Sequence, residues 1–158
     1  MITFKAVNSP ERAEQLRVLR NECAFAMTRD TGLIGPNRQR RFFEEKIAPG
    51  IIEGFLAFDG QEPVAYGLLV PDDEGRVWSS TGVKAERRGE GLGRAVTVEN
   101  ARRAHARGVP IWAEVRRDNA GQQRICAQVG YRLVSSLVRE GFVVDVFRCD
   151  RLAPEYAA

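Results

Sequence analysis

The chain is poor in the residues from which metal and redox sites are built. It has one histidine, His105, and three widely spaced cysteines, Cys23, Cys126 and Cys149, among 158 residues. No CxxC pair occurs, so neither a zinc ribbon nor a disulfide framework is suggested, and no metal is expected. Separate, unpaired thiols suit a reducing cytoplasm. No apolar run approaches the roughly 18 residues that a membrane-spanning helix needs. The start, Met1-Ile2-Thr3-Phe4-Lys5, lacks the basic stretch and apolar run of a secretory leader. No repeat, linker or low-complexity tract interrupts the chain.

What is present reads as one ordinary domain over 1–158. Apolar residues make up 44% and charged residues 28%, enough for one core without a metal or disulfide staple. The net charge is only +3, yet it is uneven: between Lys84 and Arg124 ten Lys or Arg stand against five Asp or Glu. A basic half suggests an anionic ligand, phosphate above all. The plainer reading is a solvated surface on an Arg-rich chain.

The pattern of elements starts with a weak strand over 2–7. Ser9-Pro10-Glu11 then gives a cap, a first-turn proline and an acid, opening a helix with Ala13, Leu16, Leu19 and Cys23 on one face. A loop is expected over 28–35 and a second helix over 37–47, with Phe42, Phe43 and Ile47 inward and Pro49-Gly50 as its stop. Strands over 51–58 and 63–70 join at Asp59-Gly60, a hairpin signal. A further strand spans 76–83, and a long helix ends near Arg107, before Gly108 and Pro110. A short strand over 111–115, a helix over 119–129 closed by Gly130, and strands over 131–138 and 142–148 complete the chain. The order β-α-α-β-β-β-α-β-α-β-β implies a mixed α/β (α+β) domain with a helix-covered central sheet.

The most informative stretch is Arg88-Gly89-Glu90-Gly91-Leu92-Gly93-Arg94, between a strand and a helix. Free N–H groups at a helix start attract phosphate, and glycines allow close approach. Arg87, Arg88 and Arg94 add positive charge. A nucleotide P-loop is excluded because no Gly-Lys pair occurs. A dinucleotide fingerprint needs GxGxxG after the first strand, whereas here the spacing is GxGxG after the fourth. The plainer reading is a glycine turn that only solves a packing problem.

Arg88–Gly93 resembles the (Gln/Arg)-x-x-Gly-x-(Gly/Ala) signature of the GNAT superfamily of N-acetyltransferases. A second block, Glu114-Val115-Arg116-Arg117-Asp118-Asn119 followed by Ile125-Cys126-Ala127-Gln128-Val129-Gly130-Tyr131, is similar to that family's strand-Asn-helix-Gly-aromatic segment. The resemblance covers roughly 76–138, with the N-terminal third matched in outline. It implies a GNAT-like acyl-CoA N-acyltransferase fold, acetyl-CoA as cosubstrate and an amine as acceptor. Two adjacent strands, 76–83 and 111–115, would splay. Backbone groups near Thr81, Gly82 and Val83 would then meet the pantetheine arm, and residues 88–94 (Arg88, Gly89, Glu90, Gly91, Leu92, Gly93, Arg94) would hold the pyrophosphate. Asn119 would touch the cofactor arm, cap the last helix, or both.

Amine attack on a thioester needs an oxyanion donor, for which the Val83 N–H is the candidate, and a base for the incoming ammonium. Glu114 matches a family position carrying such a base, and strand alternation sets it on the same face as Trp112. The plainer reading is an exposed glutamate paired with Arg116 or Arg117. Cys126 stands where many members have a tyrosine that protonates the leaving thiolate. A thiol, with an ordinary pKa near 8.5, could do the same, or Cys126 is a small buried residue. His105 reads as a surface residue and Tyr131 as packing.

The first two helices and the final strand pair would line the acceptor side, with Phe25, Met27, Arg38, Arg40, Arg41, Phe42 and Phe43. Arginines beside aromatics suit an anionic or nucleotide-linked amine. The block around Glu114 instead resembles members that acetylate protein N-termini. An acyl-CoA sensor without turnover is the main rival. A nucleic-acid binder ranks last, because the helix over 94–107 carries Glu99 and no aromatics. No membrane partner is expected, and a homodimer stands among the open oligomeric states.

Overall fold

The computed structural model describes residues 1–29 and 32–157. Positions 30 and 31, in the middle of the expected 28–35 loop, lie outside the described residues, as does position 158. The elements follow the expected order: β1 Ile2–Ala6, α1 Pro10–Glu22, α2 Pro36–Phe42, β2 Glu53–Asp59, β3 Glu62–Pro71, β4 Val77–Val83, α3 Leu92–Ala106, β5 Ile111–Arg116, α4 Ala120–Val129, β6 Arg132–Arg139 and β7 Phe142–Cys149.

Local chemistry fixes several ends. Ser9 Oγ accepts from the Arg12 N–H at 3.2 Å, with Pro10 in the first turn of α1. Asn119 caps α4 in the same way through Gln122, also at 3.2 Å. Gly130 ends α4 at φ +111°, and a side chain there would collide with the Ala153 nitrogen at 2.7 Å. The second helix differs from expectation. Past Phe42 it widens into a π-helical turn over Phe43–Ile47, where the Ala48 N–H reaches the Phe43 carbonyl at 2.8 Å. The wider turn buries both Phe43 and Ile47, and β2 accordingly starts only at Glu53.

Among the described residues the sheet has seven strands in the order β1-β2-β3-β4-β5-β7-β6. Every pairing is antiparallel except β4 with β5. The last hairpin turns back on itself, so β7 rather than β6 joins β5, an order that no local signal announces. Helices cover both faces. Phe55, Ala57, Ala65 and Ile111 pack with Val96 and Ala101 of α3 and Val129 of α4. Leu56, Phe58 and Tyr66 pack with Leu16 and Leu19 of α1 and with Phe43 and Ile47. Burial on both faces explains why β2 and β3 read as near-continuous apolar runs.

Candidate active site

The sheet is interrupted at its centre. β4 and β5 pair at Val77–Ile111, Trp78–Trp112 and Ser79–Ala113, and then part. β4 nonetheless stays with β3 to Val83–Ala65, and β5 stays with β7 to Arg116–Val144. The gap is therefore a divergence of two intact ribbons. The Lys84 N–H donates to the Val64 carbonyl at 2.8 Å. Alternation along an antiparallel pair then turns the peptide groups of Thr81 and Val83 into the gap and those of Gly82 back to β3. Gly82 contributes space instead. A side-chain carbon there would lie 2.3 Å from Tyr66 Cε1 and 2.9 Å from Cys23 Sγ. The Cys23 thiol donates to the Val83 carbonyl at 3.5 Å, leaving the Val83 N–H as the inward donor.

Below the gap lies the glycine loop. Gly89 and Gly91 sit at φ +84° and +85°, where other residues are strained. Gly91 caps α3 without a side-chain bond. The first helical bond runs from the Ala95 N–H to the Gly91 carbonyl at 3.1 Å, so the N–H groups of Leu92, Gly93 and Arg94 stand before the ladder begins. Gly93 brings the helix close to α4: a side-chain carbon there would be 3.3 Å from Ile125 Cδ1.

The charges around the loop are not all available. Arg87 pairs with Asp59 at 2.7 Å, Glu90 at 3.0 Å and Glu62 at 3.3 Å, and hydrogen bonds to Glu90 and Asp59 raise its pKa. Arg87 lines the cleft, with its charge shared among these three acids. Glu90 faces Arg87 rather than the cleft. Arg88 lies over the Phe25 ring at 5.0 Å, and Arg94 donates to Gln128 Oε1 at 2.8 Å. Both line the cleft, and so does Arg124 of α4, which sequence reasoning passed over because it falls outside the loop.

Loop and gap open into one cleft of about 1320 Å³ that continues between α1, α2 and the sheet. Thr81, Gly82, Val83, Arg88, Gly89, Gly91, Leu92, Gly93, Arg94, Glu114 and Asn119 all line it. Glu114 is neither exposed nor paired with Arg116 or Arg117. Its side chain is 6% exposed, and Oε1 accepts from Arg29 Nη2 at 2.6 Å and Arg139 Nη2 at 2.9 Å. Its Oε2 is buried with no hydrogen-bond partner among the described residues. Arg116 instead binds Asp118 at 2.7 Å, and Arg117 binds Asp145 at 2.7 Å. Trp112 stacks with Trp78 at 5.8 Å between ring centroids.

Of its two readings, Cys126 follows the small buried residue rather than a thiol near the cofactor. It is 0% exposed in the core beside α3 and does not line the cleft. Burial pushes its pKa up to about 12, the wrong direction for a proton donor. His105 is half-buried, with Nε2 3.0 Å from the Cys149 carbonyl. Tyr131 packs as expected, its hydroxyl donating to the Thr97 carbonyl at 3.1 Å.

A sheet that parts between two parallel strands, over a glycine-hooked helix start, defines an acyltransferase fold. The chain belongs to the acetyltransferase (GNAT) family, whose model matches residues 14–131. A suspected acetyltransferase from Salmonella typhimurium, solved with acetyl-CoA, superposes with a TM-score of 0.80 at 15% identity, over 97% of each chain. A ribosomal-protein-alanine N-acetyltransferase from Brucella melitensis gives 0.79 at 18% identity, over 94% of this chain and 98% of that one. A spermidine N-acetyltransferase from Vibrio cholerae, solved with CoA and spermine, gives 0.81 at 12% identity, over 99% and 98%. At such identities the likeness shows the fold. No curated protein sequence matches significantly. Among the described residues no helix is long and apolar enough to cross a membrane.

Proposed function

We propose that the protein moves an acetyl group from acetyl-CoA to an amine by direct attack, with both substrates bound at once. The observation that carries this is the cleft itself: one continuous space joins the glycine loop, the β4–β5 gap and the buried carboxylate of Glu114. Relatives of the same fold solved with acetyl-CoA or CoA support it.

In this reading the N–H groups of Leu92, Gly93 and Arg94 hold the pyrophosphate, helped by Arg88 and Arg94. Gly89 and Gly91 leave it room. Thr81 and Val83 offer peptide groups to the pantetheine amides, and the Val83 N–H faces the developing oxyanion. Glu114 accepts the proton of the incoming ammonium through Oε2, the oxygen that no guanidinium occupies. Asn119 holds α4 in place and presents its edge to the cofactor arm. Cys126 takes no part, and the departing thiolate takes its proton from water. Buried, unpaired cysteines fit a cytoplasmic setting.

Acetyl-CoA at a hundred times its dissociation constant should stabilise the fold by about 2.7 kcal/mol. Thiol release on an amine panel should follow, with initial-rate lines that intersect rather than run parallel. The rival sensor reading draws on Cys126, which leaves α4 without an acid at that position. Binding of acetyl-CoA without thiol release from any amine would decide for it.

A further inference from the structure

The cluster around Glu114 is unbalanced in charge and in hydrogen bonds. Two other arginines that line the cleft each have an acid of their own: Arg76 binds Asp72 at 2.9 Å, and Arg116 binds Asp118 at 2.7 Å. Here two guanidiniums, Arg29 and Arg139, share a single carboxylate oxygen. Among the described residues the cluster therefore carries one positive charge in excess. It also lacks bonds of both kinds among the described residues: Glu114 Oε2 is a buried acceptor without a donor, and Arg139 Nε is a buried donor without an acceptor. Buried polar atoms are rarely left unsatisfied, and an exception calls for an explanation. Arg29 is 63% exposed and lines the cleft, so its guanidinium is accessible to a small molecule.

What is missing is an N–H donor for Oε2 and an anion for the guanidiniums. We propose that the acceptor is a small zwitterion, an amine that carries a carboxylate on the same or the neighbouring carbon, as in an α-amino acid. Its ammonium meets Glu114 Oε2 and its carboxylate meets Arg29. Arg29 Nη2 lies only 2.6 Å from the other oxygen of Glu114, so the two anchors adjoin and the two groups on the acceptor must adjoin as well. Arg139 is a positioning residue that fixes Oε1 from the β6–β7 hairpin. A polyamine would bring further positive charge to a cluster that already has an excess. This proposal rests on the acetyl-transfer reading above and narrows its acceptor.

The test is thiol release from acetyl-CoA with free L-amino acids, the matching amino-acid amides, and spermine. Acetyl-CoA binding is measured separately by calorimetry. The expected result is a kcat/KM for the best amino acid at least about tenfold above that of its amide, as loss of a charge-assisted bond implies. Arg29→Ala should pull that ratio toward one by raising KM for the acid, in a variant that still binds acetyl-CoA. Amides or spermine turned over as well as the acids, or a ratio untouched by Arg29→Ala, would overturn the zwitterion while leaving acetyl transfer intact. Failure of acetyl-CoA to bind would remove acetyl transfer, and this proposal with it.

Discussion

The two walls of the cleft present different kinds of groups to a ligand. The wall made by β4, the loop and α3 presents main chain: peptide groups of Thr81 and Val83, N–H groups of Leu92 to Arg94, and glycines that keep space open. The wall made by α1, α2 and β5 presents side chains, with Glu114 held by Arg29 and, from the β6–β7 hairpin, by Arg139. Main-chain recognition needs particular residues at particular spacings, because only glycine allows the required backbone. Side-chain recognition can draw its groups from anywhere the fold brings them. The first kind suits a ligand shared across a family, and the second suits one that differs between members.

The comparison can be broken first at the loop. Gly91→Glu should abolish acetyl-CoA binding by calorimetry, since it adds bulk and negative charge at the phosphate site and forces a φ of +85° that costs an L-residue roughly 1–2 kcal/mol. Retained binding would show that the main chain there is not the anchor. On the other wall, Glu114→Gln should lower kcat by about a hundredfold or more at neutral pH, with partial recovery at higher pH and acetyl-CoA affinity kept. A pH–rate profile that the substitution leaves unchanged would remove Glu114 as the base.

Three smaller effects sharpen the contrast. Gly82→Ala should cost about 1–3 kcal/mol in urea unfolding through overpacking against Tyr66 and Cys23. Asn119→Ala should cost about 1 kcal/mol as a lost cap. Any additional weakening of acetyl-CoA binding would measure its contact with the cofactor arm. The smallest effect concerns pH. Arg117, Ser136 and Gln123 hold the Asp145 carboxyl down, at about 2 instead of 3.8. A depressed folded-state value gives stability that is present above the unfolded value and is lost as pH falls through the folded one. Asp145→Asn should therefore flatten the acid side of the stability curve between about pH 4 and pH 2, read by urea midpoints at each pH.

Much of the main-chain wall was legible in the sequence. Glycine at alternate positions after a strand has few structural meanings, and the caps at Ser9 and Asn119 and the stop at Gly130 are local chemistry. The element order could be read for the same reason. Other features had no local signal. Arg29 is 85 residues from Glu114, and Arg139 is 25 residues away, so the pairing expected with nearby Arg116 or Arg117 gave way to partners that only the fold supplies. The insertion of β7 between β5 and β6 depends on which edge β5 leaves open. Asp59 and Glu62 reach Arg87 from the β2–β3 hairpin, ion pairs that spacing along the chain does not announce. The π-helical turn after Phe42 follows from where two large side chains find room, and periodicity does not record that.

Buried Asn100 of α3 donates to Ser79 Oγ at 2.7 Å and reaches the Ser80 carbonyl at 3.4 Å. Ser79 is the last β4 residue joined to β5, and Ser80 is the first beyond it. The amide thus acts like the stop at the foot of a zip, fixed from behind by a rigid helix. In the proposed acetyl transfer, a slot held ajar in this way would ask no strand-separation work of an arriving thioester, and energy from that encounter would stay free for aligning the reactants.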